Sequence, residues 1–496
     1  MKLMLARLSP DWQTRWSHPI ALVETFVDEQ LFQGTAYKVS GWLKIGPTAG
    51  FGRHGDGVGQ DYYLAHGRPK QLWVKELGKG ACQKLRAATL PAPWAAVEEQ
   101  AAPRCRAPVP QIRSLLVHLQ GVPEFRRRQS LAYPLAGLLA LVAMATLCGV
   151  VRGQRDLAAF ARTLSQGQLR ALRFRQDRHT RRIRCPDETT FYRVLTGVDE
   201  ALVEQVLLAW QEQLLGPAKD RAICVDGKKL RHARGVELVS ALGAQSGRWL
   251  GTVCTEAKSN EIPAARALLK KVDVVGKTVV ADALHTQWET AQQILFEHGG
   301  DFVFTVKENQ KTLHTTVAGL LTEQPFSPSA HAAEPHLPAG NRSRREIRAL
   351  QSQETTPEAV CFPGAQQIAK LRRRVRRRGK VTTETVYLLS SRAPDSLPAS
   401  ELAALKRQYW SIESALHYRL DEVLDEDRSR VRTPKAAHVL GMFRRLAVSL
   451  TIPWLAQKKQ TRRRASTRDF HEHLRASNAR RAHLLVTAAA PTSWLP

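Results

Sequence analysis

Two short apolar runs, each ending at an aspartate, constrain the fold of this chain more than any other feature. Residues 222–230 read AICVDGKKL and deliver Asp226, and residues 277–285 read KTVVADALH and deliver Asp282. Each run has the length and the β-branched residues of a buried strand. One aspartate after such a run is more often an ordinary strand-end residue, but two in matching settings indicate a shared polar site.

The sequence around these runs alternates strands and helices. Strands are predicted at 222–230, 236–245, 248–257, around Asp282 and at 301–307, and helices at 261–271, 287–297 and 310–321. Short turns containing Gly235 and Gly247 join the first three strands, so we expect an antiparallel meander. The later strands are separated by helices and are expected to be parallel. This order predicts an α/β fold with an RNase H-like catalytic core, by analogy of element order.

A β-rich insertion is predicted at about 322–396, before the helix that follows the sheet. Its segment 371–380 reads LRRRVRRRGK, and the alternating residues at 382–391 predict a neighbouring strand. The arginines predicted to face DNA are Arg372, Arg373, Arg374, Arg376, Arg377 and Arg378. A charged, solvent-exposed strand pair with no role in DNA binding is the alternative.

Composition predicts the division of the chain into segments. We expect a small α+β segment at 1–87, an Ala/Pro-rich linker at 88–111, a helical domain at 112–215, a catalytic domain at 218–455 and a basic tail at 456–496. Residues 133–151 carry no charge and approach the length of a membrane span. We predict a buried core helix there, because so basic a chain is an unusual companion to a single span. The tail is predicted to be a loosely attached arm that binds phosphates.

The charge of the chain indicates its partner. Lys and Arg number 74 against 45 Asp and Glu, which gives a formal net charge of +29. Such a field suits a polyanion and predicts binding to nucleic acid. The cysteines form no CxxC pair, which favours a reducing compartment and argues against a disulfide framework or a structural zinc. The first residues, MKLMLARLSPDW, are too polar for a cleavable signal, so we expect a cytoplasmic, nucleoid-associated protein without a membrane segment.

Three carboxylates from separated elements would suit phosphodiester hydrolysis or transfer. This chemistry needs a nucleophile at neutral pH and charge neutralisation at the phosphorus, which two Mg²⁺ ions supply. Mg²⁺ prefers carboxylate ligands, and Mn²⁺ is a possible substitute. Asp226 would bridge the ions, Asp282 would hold one, and Glu413, on a helix predicted at 399–424, would hold the other. The lysines predicted to contact phosphate are Lys228, Lys229 and Lys307.

Motifs from about residue 112 to residue 452 resemble one family. VDGKKLR, EAKSNEIPA, VVADALHTQ, GGDFVFTVKENQ and YWSIESALHYRLDEVLDEDRSRVR follow in unbroken order. Together they resemble the H-repeat-associated (ISAs-type) insertion-sequence transposases, a branch of the DDE class. The resemblance implies an RNase H-like core in which Asp226, Asp282 and Glu413 form the metal-binding triad, with a helical domain associated with that core.

The helix with the glutamate departs from the pattern of related DDE families, which carry a Tyr, Arg, Glu, Lys signature. The residues at the Tyr, Arg and Lys positions here are Lys406, Tyr409 and Leu420. Glu422 and Asp425 are the alternative acids if Glu413 is not the third ligand. His417 follows Glu413 by one helical turn, and a lone helical histidine is more often a packed residue than a ligand.

Residues 1–87 resemble a different family. The matching segments are DW at 11–12, LVETFVD at 22–28, FQGTAYKVSGW at 32–42 and IGPTAGFGR at 45–53. They resemble the C-terminal part of the Druantia anti-phage protein DruA family. This resemblance assigns no catalytic role to the segment.

Two functions are compatible with these features. The first is a Mg²⁺-dependent DDE transposase that cuts double-stranded DNA at element ends and joins the freed 3′-hydroxyl to target DNA, as a homo-oligomer. The alternative is a non-catalytic DNA-binding protein, either a decayed transposase or an anti-phage defence accessory. A phosphoaspartyl phosphatase is excluded, because it needs a second aspartate two positions after the first, where Lys228 stands.

Overall fold

The computed structural model covers the chain as two compact units, Met1–Ile112 and Arg113–Pro496. It describes residues 1–16, 18–48, 51–53, 63–65, 69–85, 114–127, 132–230, 232–233, 235–255, 260–321, 330–336, 344–377, 380–412, 416–460 and 465–488. The predicted aspartates lie in the second unit.

The first unit is built on a small antiparallel sheet. Its elements are α1 (Lys2–Trp16), β1 (Leu22–Val27), α2 (Thr35–Val39), β2 (Leu43–Pro47), β3 (Phe51–Arg53), β4 (Tyr63–Ala65), β5 (Gln71–Glu76) and α3 (Ala81–Leu85). Strand β5 lies between β1 and β2, and β3 pairs separately with β4. Val27, Trp73 and Val74 are buried where β1 and β5 pair.

The second unit contains a mixed sheet that is nine strands wide within the described residues. The strands are β6 (Ala222–Lys229), β7 (Glu237–Gly243), β8 (Trp249–Cys254), β9 (Thr278–Ala281), β10 (Asp301–Val306), β11 (Ala330–His336), β12 (Arg344–Glu354), β13 (Gln367–Arg377) and β14 (Lys380–Ser390). Their order is β11-β12-β13-β14-β10-β9-β6-β7-β8. Strands β6, β7 and β8 are antiparallel neighbours, whereas β6, β9 and β10 are parallel. The predicted meander followed by parallel strands is confirmed.

The β-rich insertion extends this sheet. Strand β14 pairs antiparallel with β10, and β13, β12 and β11 continue outward from it. At the base of the insertion Ile368 and Leu389 are buried in the same apolar cluster as Phe304 of β10. This shared burial explains why the insertion continues the sheet instead of forming a separate layer.

Helices cover both faces of the sheet. They are α4 (Leu115–His118), α5 (Leu135–Leu147), α6 (Gln154–Thr163), α7 (Gln166–Ala171), α8 (Glu188–Gly197), α9 (Glu200–Leu215), α10 (Glu261–Leu269), α11 (Trp288–Gln292), α12 (Lys311–Leu320), α13 (Pro357–Val360), α14 (Ala399–Ile412), α15 (Tyr418–Glu422), α16 (Pro434–Gln460) and α17 (Thr467–Thr487). Side chains alternate across a strand. Accordingly, Ile223 and Val225 of β6 pack with α10, whereas Ala222 and Cys224 belong to the core that α14 and α16 share.

The uncharged segment at 133–151 forms a core helix, as predicted. Every residue of α5 is buried, and the helix belongs to the same core as α14 and α16. Within the described residues one helix, Pro434–Lys458, is long and apolar enough to cross a membrane, but 78% of its apolar window is buried inside the protein. A buried core helix passes that test as readily as a membrane span does.

The end of the chain corrects one prediction. Residues 465–488 are not a loosely attached arm, because α17 packs against α5 and buries Phe470, Leu474 and Leu485 in the core. The two halves of α17 meet at a kink formed by Ala476, Ser477, Asn478 and Ala479. The segment contains many basic residues, but its apolar residues recur at helical spacing and form one stripe. This apolar stripe packs α17 against the core.

Candidate active site

The sheet brings the two predicted aspartates side by side. In the parallel pairing of β6 with β9, Val225 lies opposite Ala281. Asp226 and Asp282 are the next residues on the two strands, and neighbouring strands lie about 5 Å apart. Both aspartates are half-buried. Asp282 also caps the short helical turn that follows it, because its Oδ1 accepts a hydrogen bond from the Leu284 amide at 2.9 Å.

Glu413, the third predicted acid, lies outside the described residues. Two described residues, four positions before it and four positions after it, lie against Asp226. Tyr409, four positions earlier, donates a hydrogen bond from its hydroxyl to Oδ1 of Asp226 at 3.1 Å. His417, four positions later, has its Nε2 3.7 Å from Oδ2 of Asp226.

Burial keeps both of these partners neutral. Burial, and next the negative charges of Asp226 and Asp282, raise the pKa of the Tyr409 phenol, so that it remains a hydrogen-bond donor. Burial, and next the positive charges of Arg445 and Lys228, lower the pKa of His417 to about 4. At neutral pH His417 therefore adds no positive charge beside Asp226.

Glu261 is a further carboxylate at this place. It is the first residue of α10, whose N-cap is Asn260. A Cβ atom built on Gly227 would lie 2.2 Å from the Glu261 carboxyl carbon, so this carboxyl group lies directly against the backbone of β6. Burial, and then the charges of Glu237, Asp226 and Asp282, raise the pKa of Glu261 to about 7. The shift indicates that several carboxylates share one region beside Asp226 and Asp282.

Lys228 lies in a different environment from the one predicted. Its side chain is buried, and its Nζ forms ion pairs with Asp421 at 2.6 Å and with Asp427 at 3.0 Å. These aspartates follow Glu413 in the sequence, so Lys228 ties that part of the chain to the strand that carries Asp226. Phosphate binding by Lys228 would require these ion pairs to open.

Lys406 and Trp410 fill the space between α14 and the sheet. The buried Nζ of Lys406 donates to the hydroxyl of Thr305 on β10 at 2.6 Å. Burial, and next the charge of Lys307, lower the pKa of Lys406 to about 8. The guanidinium groups of Arg348 and Arg373 lie 4.8 and 5.5 Å from the centre of the Trp410 ring. The insertion therefore contacts the helix that precedes Glu413.

The arginines of β13 divide between two faces. Arg373 donates to Glu346 at 2.8 Å and to Glu384 at 3.2 Å, on the face toward Trp410. Burial alone would raise the pKa of Glu346, but the hydrogen bond from Arg373 and the charge of Arg348 hold it at about 2. The exposed arginines of β13 are Arg372, Arg374, Arg376 and Arg377. Arg378 lies outside the described residues.

The remaining predicted residues lie around this region. Lys229 is 67% exposed and has Glu237 at 3.9 Å, and Lys307 is exposed directly after β10. Of the alternative acids, Glu422 is exposed, whereas Asp425 pairs with Arg152 at 2.9 Å and with Arg428 at 3.2 Å. Asp425 is therefore engaged in ion pairs.

The carboxylates around Asp226 and Asp282 are suitable ligands for a hard divalent cation. Carboxylates are the ligands that Mg²⁺ and Mn²⁺ prefer, and Asp226, Asp282 and Glu261 are all partly buried here. Among the described residues, no group of three or more His, Cys, Asp or Glu side chains is already placed to hold a metal ion. The acids are thus near one another without forming a closed coordination shell.

Sequence reasoning missed Glu261 as a site residue. The motif EAKSNEIPA that contains it is visible in the sequence, and its SNEI part predicts a polar cap before the helix at 261–271. That interpretation is correct for Asn260, whose side chain accepts a hydrogen bond from Ile262. Nothing local indicates that the neighbouring carboxylate lies against Gly227, 34 positions earlier, since only the packing of α10 on the sheet brings them together.

Two protein-family profiles match the chain. The profile described as "Transposase DDE domain" matches residues 173–450, which include Asp226, Asp282 and Glu413. The profile described as "DDE_Tnp_1-associated" matches residues 116–211, the helices that precede the sheet.

Three similar proteins come from Escherichia coli. "Putative protein YbfL" of strain K12 is 26% identical over 355 residues, covering 68% of this chain and 90% of that protein. "H repeat-associated putative transposase YhhI" of strain K12 has the same identity and the same coverage. "Putative transposase YncI" of strain O157:H7 is 27% identical over 353 residues, covering 68% of this chain and 87% of that protein.

Proposed function

This chain belongs to the transposase DDE family, and from that membership we propose that it is a DNA transposase that cuts and joins DNA at the ends of an insertion sequence. The observation that carries the proposal is the adjacent placement of Asp226 and Asp282, each directly after the paired residues Val225 and Ala281 of two parallel strands. The name of one relative, an H repeat-associated putative transposase, favours the H-repeat-associated branch, which is the ISAs-type branch of the sequence resemblance. The strand order supports an RNase H-like core.

We assign metal binding to Asp226, Asp282 and Glu413. Their carboxylate oxygens suit Mg²⁺, with Mn²⁺ as a possible substitute. Bound divalent ions would neutralise charge at the phosphorus and provide a nucleophile at neutral pH. The contacts of Tyr409 and His417 with Asp226 support Glu413 as the third ligand, because these residues flank it in the sequence at equal spacing.

The reaction has two steps, both of which exchange one phosphorus–oxygen bond for another. In cleavage, water attacks a phosphodiester at the element end, and the 3′-oxygen leaves and takes up a proton. In strand transfer, that 3′-hydroxyl attacks a phosphodiester of the target, loses its proton and releases a target 3′-hydroxyl. Tyr409 holds one carboxylate oxygen of Asp226 in place during both steps, and the neutral His417 adds no positive charge beside that carboxylate.

The DNA partner follows from charge. The chain carries a formal net charge of +29, and the exposed arginines of β13 provide a basic strand in the insertion of the same sheet. Lys229 and Lys307 are exposed and would add phosphate contacts. We propose double-stranded DNA as the substrate and a homo-oligomer as the active form, because two element ends must be joined to one target. Its place would be the cytoplasm, on the nucleoid.

The first unit has no assigned part in cleavage or strand transfer. Its resemblance to the C-terminal part of DruA assigns no activity. A role in anti-phage defence would make the protein a non-catalytic, DNA-binding accessory. A plasmid cleavage assay distinguishes this alternative from a transposase.

The test uses a plasmid that carries the gene with its native flanking DNA. Purified wild-type protein with Mg²⁺ should nick the plasmid at fixed positions beside the gene and join those ends to a second DNA. Asp226→Ala and Asp282→Ala should abolish both products while DNA binding persists. Equal activity in wild type and variants would contradict the assignment of the aspartates. Binding without cleavage by any of the proteins would favour the non-catalytic alternative.

A further inference from the structure

Glu261 reaches Gly227 of β6 from the face opposite Tyr409. Tyr409 lies on α14 and contacts Asp226, whereas Glu261 begins α10, which packs on the other face of the sheet. The Glu261 carboxyl group occupies the space that a side chain at position 227 would need. A cation beside Asp226 and Asp282 would therefore meet carboxylates from both faces of the sheet.

The buried side chain of His285 is a second, independent observation at the site of Asp282 and Glu261. It follows Asp282 by three positions and is only 1% exposed. Neither of its ring nitrogens has a hydrogen-bond partner among the described residues. Its Nε2 lies 3.7 Å from Oε2 of Glu261, just beyond hydrogen-bond length. A buried imidazole without hydrogen-bond partners costs free energy. A small movement of His285 toward Glu261 would complete a hydrogen bond and remove that cost.

We propose that Glu261 is a fourth carboxylate of the metal site, which binds a divalent cation together with Asp226 and Asp282, and that His285 positions it. The inference rests on the proposed metal-dependent function and extends it. A ligating carboxylate commonly accepts a hydrogen bond from a residue behind it, and such a residue fixes the orientation of the ligand. Glu237 also neighbours Glu261, so a purely structural pairing of these two carboxyl groups is the competing explanation.

The test measures binding of Mn²⁺ to the full chain, with the electron paramagnetic resonance signal of the free ion as the readout. Glu261→Gln keeps the size of the side chain and removes its charge, and we expect the affinity for Mn²⁺ to fall at least about tenfold. His285→Gln should lower the affinity by about tenfold, because it disturbs the orientation of Glu261. Glu289→Gln, on the exposed side of α11, is the matched control and should leave the affinity unchanged.

A second variant distinguishes loss of metal binding from loss of the folded structure. Gly227→Ala would place a methyl group on the Glu261 carboxyl, which lies at the flexible end of its side chain and can move away. We expect the same fall in Mn²⁺ affinity with little change in the melting temperature of the metal-free protein. If Glu261→Gln and Gly227→Ala lower the melting temperature but leave the affinity unchanged, the role of Glu261 is structural and the proposal is wrong.

The outcome separates this inference from the proposed function. Asp226→Asn should abolish binding if the proposed metal site exists. Loss of binding in Asp226→Asn with full binding in Glu261→Gln would overturn only the role of Glu261. Full binding in Asp226→Asn, or no binding by the wild-type protein at millimolar Mn²⁺, would overturn both.

Discussion

The hydroxyl of Tyr409 donates a 3.1 Å hydrogen bond to Oδ1 of Asp226, across 183 positions of sequence. Tyr409 is buried on α14, so its phenol is held by packing before it meets the carboxylate. A carboxylate with one oxygen fixed in this way has fewer orientations to lose when it binds a ligand. The helix that precedes Glu413 thus orients the aspartate on the central strand.

Tyr409→Phe removes this hydrogen bond and little else. We expect the free energy of unfolding to fall by about 1 kcal/mol, because water can replace the hydroxyl at the partly exposed carboxylate. Plasmid nicking should slow by about tenfold, since a small displacement of a positioned group reduces the rate. Urea unfolding and the nicking assay measure the two effects. Tyr418→Phe, with its side chain exposed on α15, is the control that should change neither.

The ion pairs of Lys228 give a second prediction. Lys228→Met leaves Asp421 and Asp427 without their shared cation, in a partly buried region. Breaking a buried ion pair costs about 3–5 kcal/mol, and the partial exposure of the aspartates reduces this to about 2–3 kcal/mol of unfolding free energy. Urea unfolding is the measurement.

The neighbouring lysine provides the matched control for that substitution. Lys229→Met removes an exposed lysine whose nearest acid, Glu237, is 3.9 Å away, and should change stability by less than about 0.5 kcal/mol. If Lys228→Met left stability unchanged and weakened DNA binding instead, the phosphate contact expected from the sequence would be the correct interpretation.

The parts of the fold that the sequence predicts are those with local causes. Apolar runs with β-branched residues predict strands β6 and β9, and the helix α10 between β8 and β9 accounts for the parallel pairing of β9 with β6. Asp226 and Asp282 meet because each ends such a run. An uncharged segment of nineteen residues predicts α5, since a helix without a polar face must be surrounded by other elements.

The parts that the sequence does not predict depend on tertiary contacts. The lysine pair after Asp226 gives no local sign that Lys228 points inward while Lys229 points outward, because the aspartates that decide this lie about two hundred positions later. The apolar stripe of α17 is diluted by arginines, so composition alone predicts a mobile arm. Glu261 and Gly227 meet only through the packing of α10 on β6.

The alternation of β13 predicts different results for neighbouring arginines. Replacing Arg372, Arg374 and Arg376 together by Gln should flatten the dependence of log affinity on log salt by about 2–3, since each lost phosphate contact removes about 0.9 from the slope. Arg373→Gln should change this slope by at most about 1 and should instead reduce stability by about 1–3 kcal/mol, because Arg373 bonds to Glu346 and Glu384. DNA binding at several salt concentrations and urea unfolding distinguish the two. If the triple variant and the wild type had equal slopes, β13 would not be part of the DNA-binding surface.

A buried histidine makes the attachment of α17 depend on pH. His471 has its Nδ1 2.8 Å from the carbonyl oxygen of Leu147 at the end of α5, and burial lowers its pKa to about 4. Its ordinary value in an unfolded chain is about 6.5. Since the folded-state pKa is depressed, the contribution of His471 to stability is fully present above pH 6.5 and is lost as the pH falls toward 4.

Urea unfolding at pH 7.5 and pH 5 measures this contribution. Between these two values we expect the wild-type protein to lose about 2 kcal/mol more stability than His471→Gln, which has no imidazole to protonate. The variant keeps some pH dependence, because burial also lowers the pKa of His417 to about 4. His232→Gln, at an exposed position, should lose as much stability as the wild type over the same range. An equal loss in His471→Gln would contradict a depressed pKa of His471 in the folded protein.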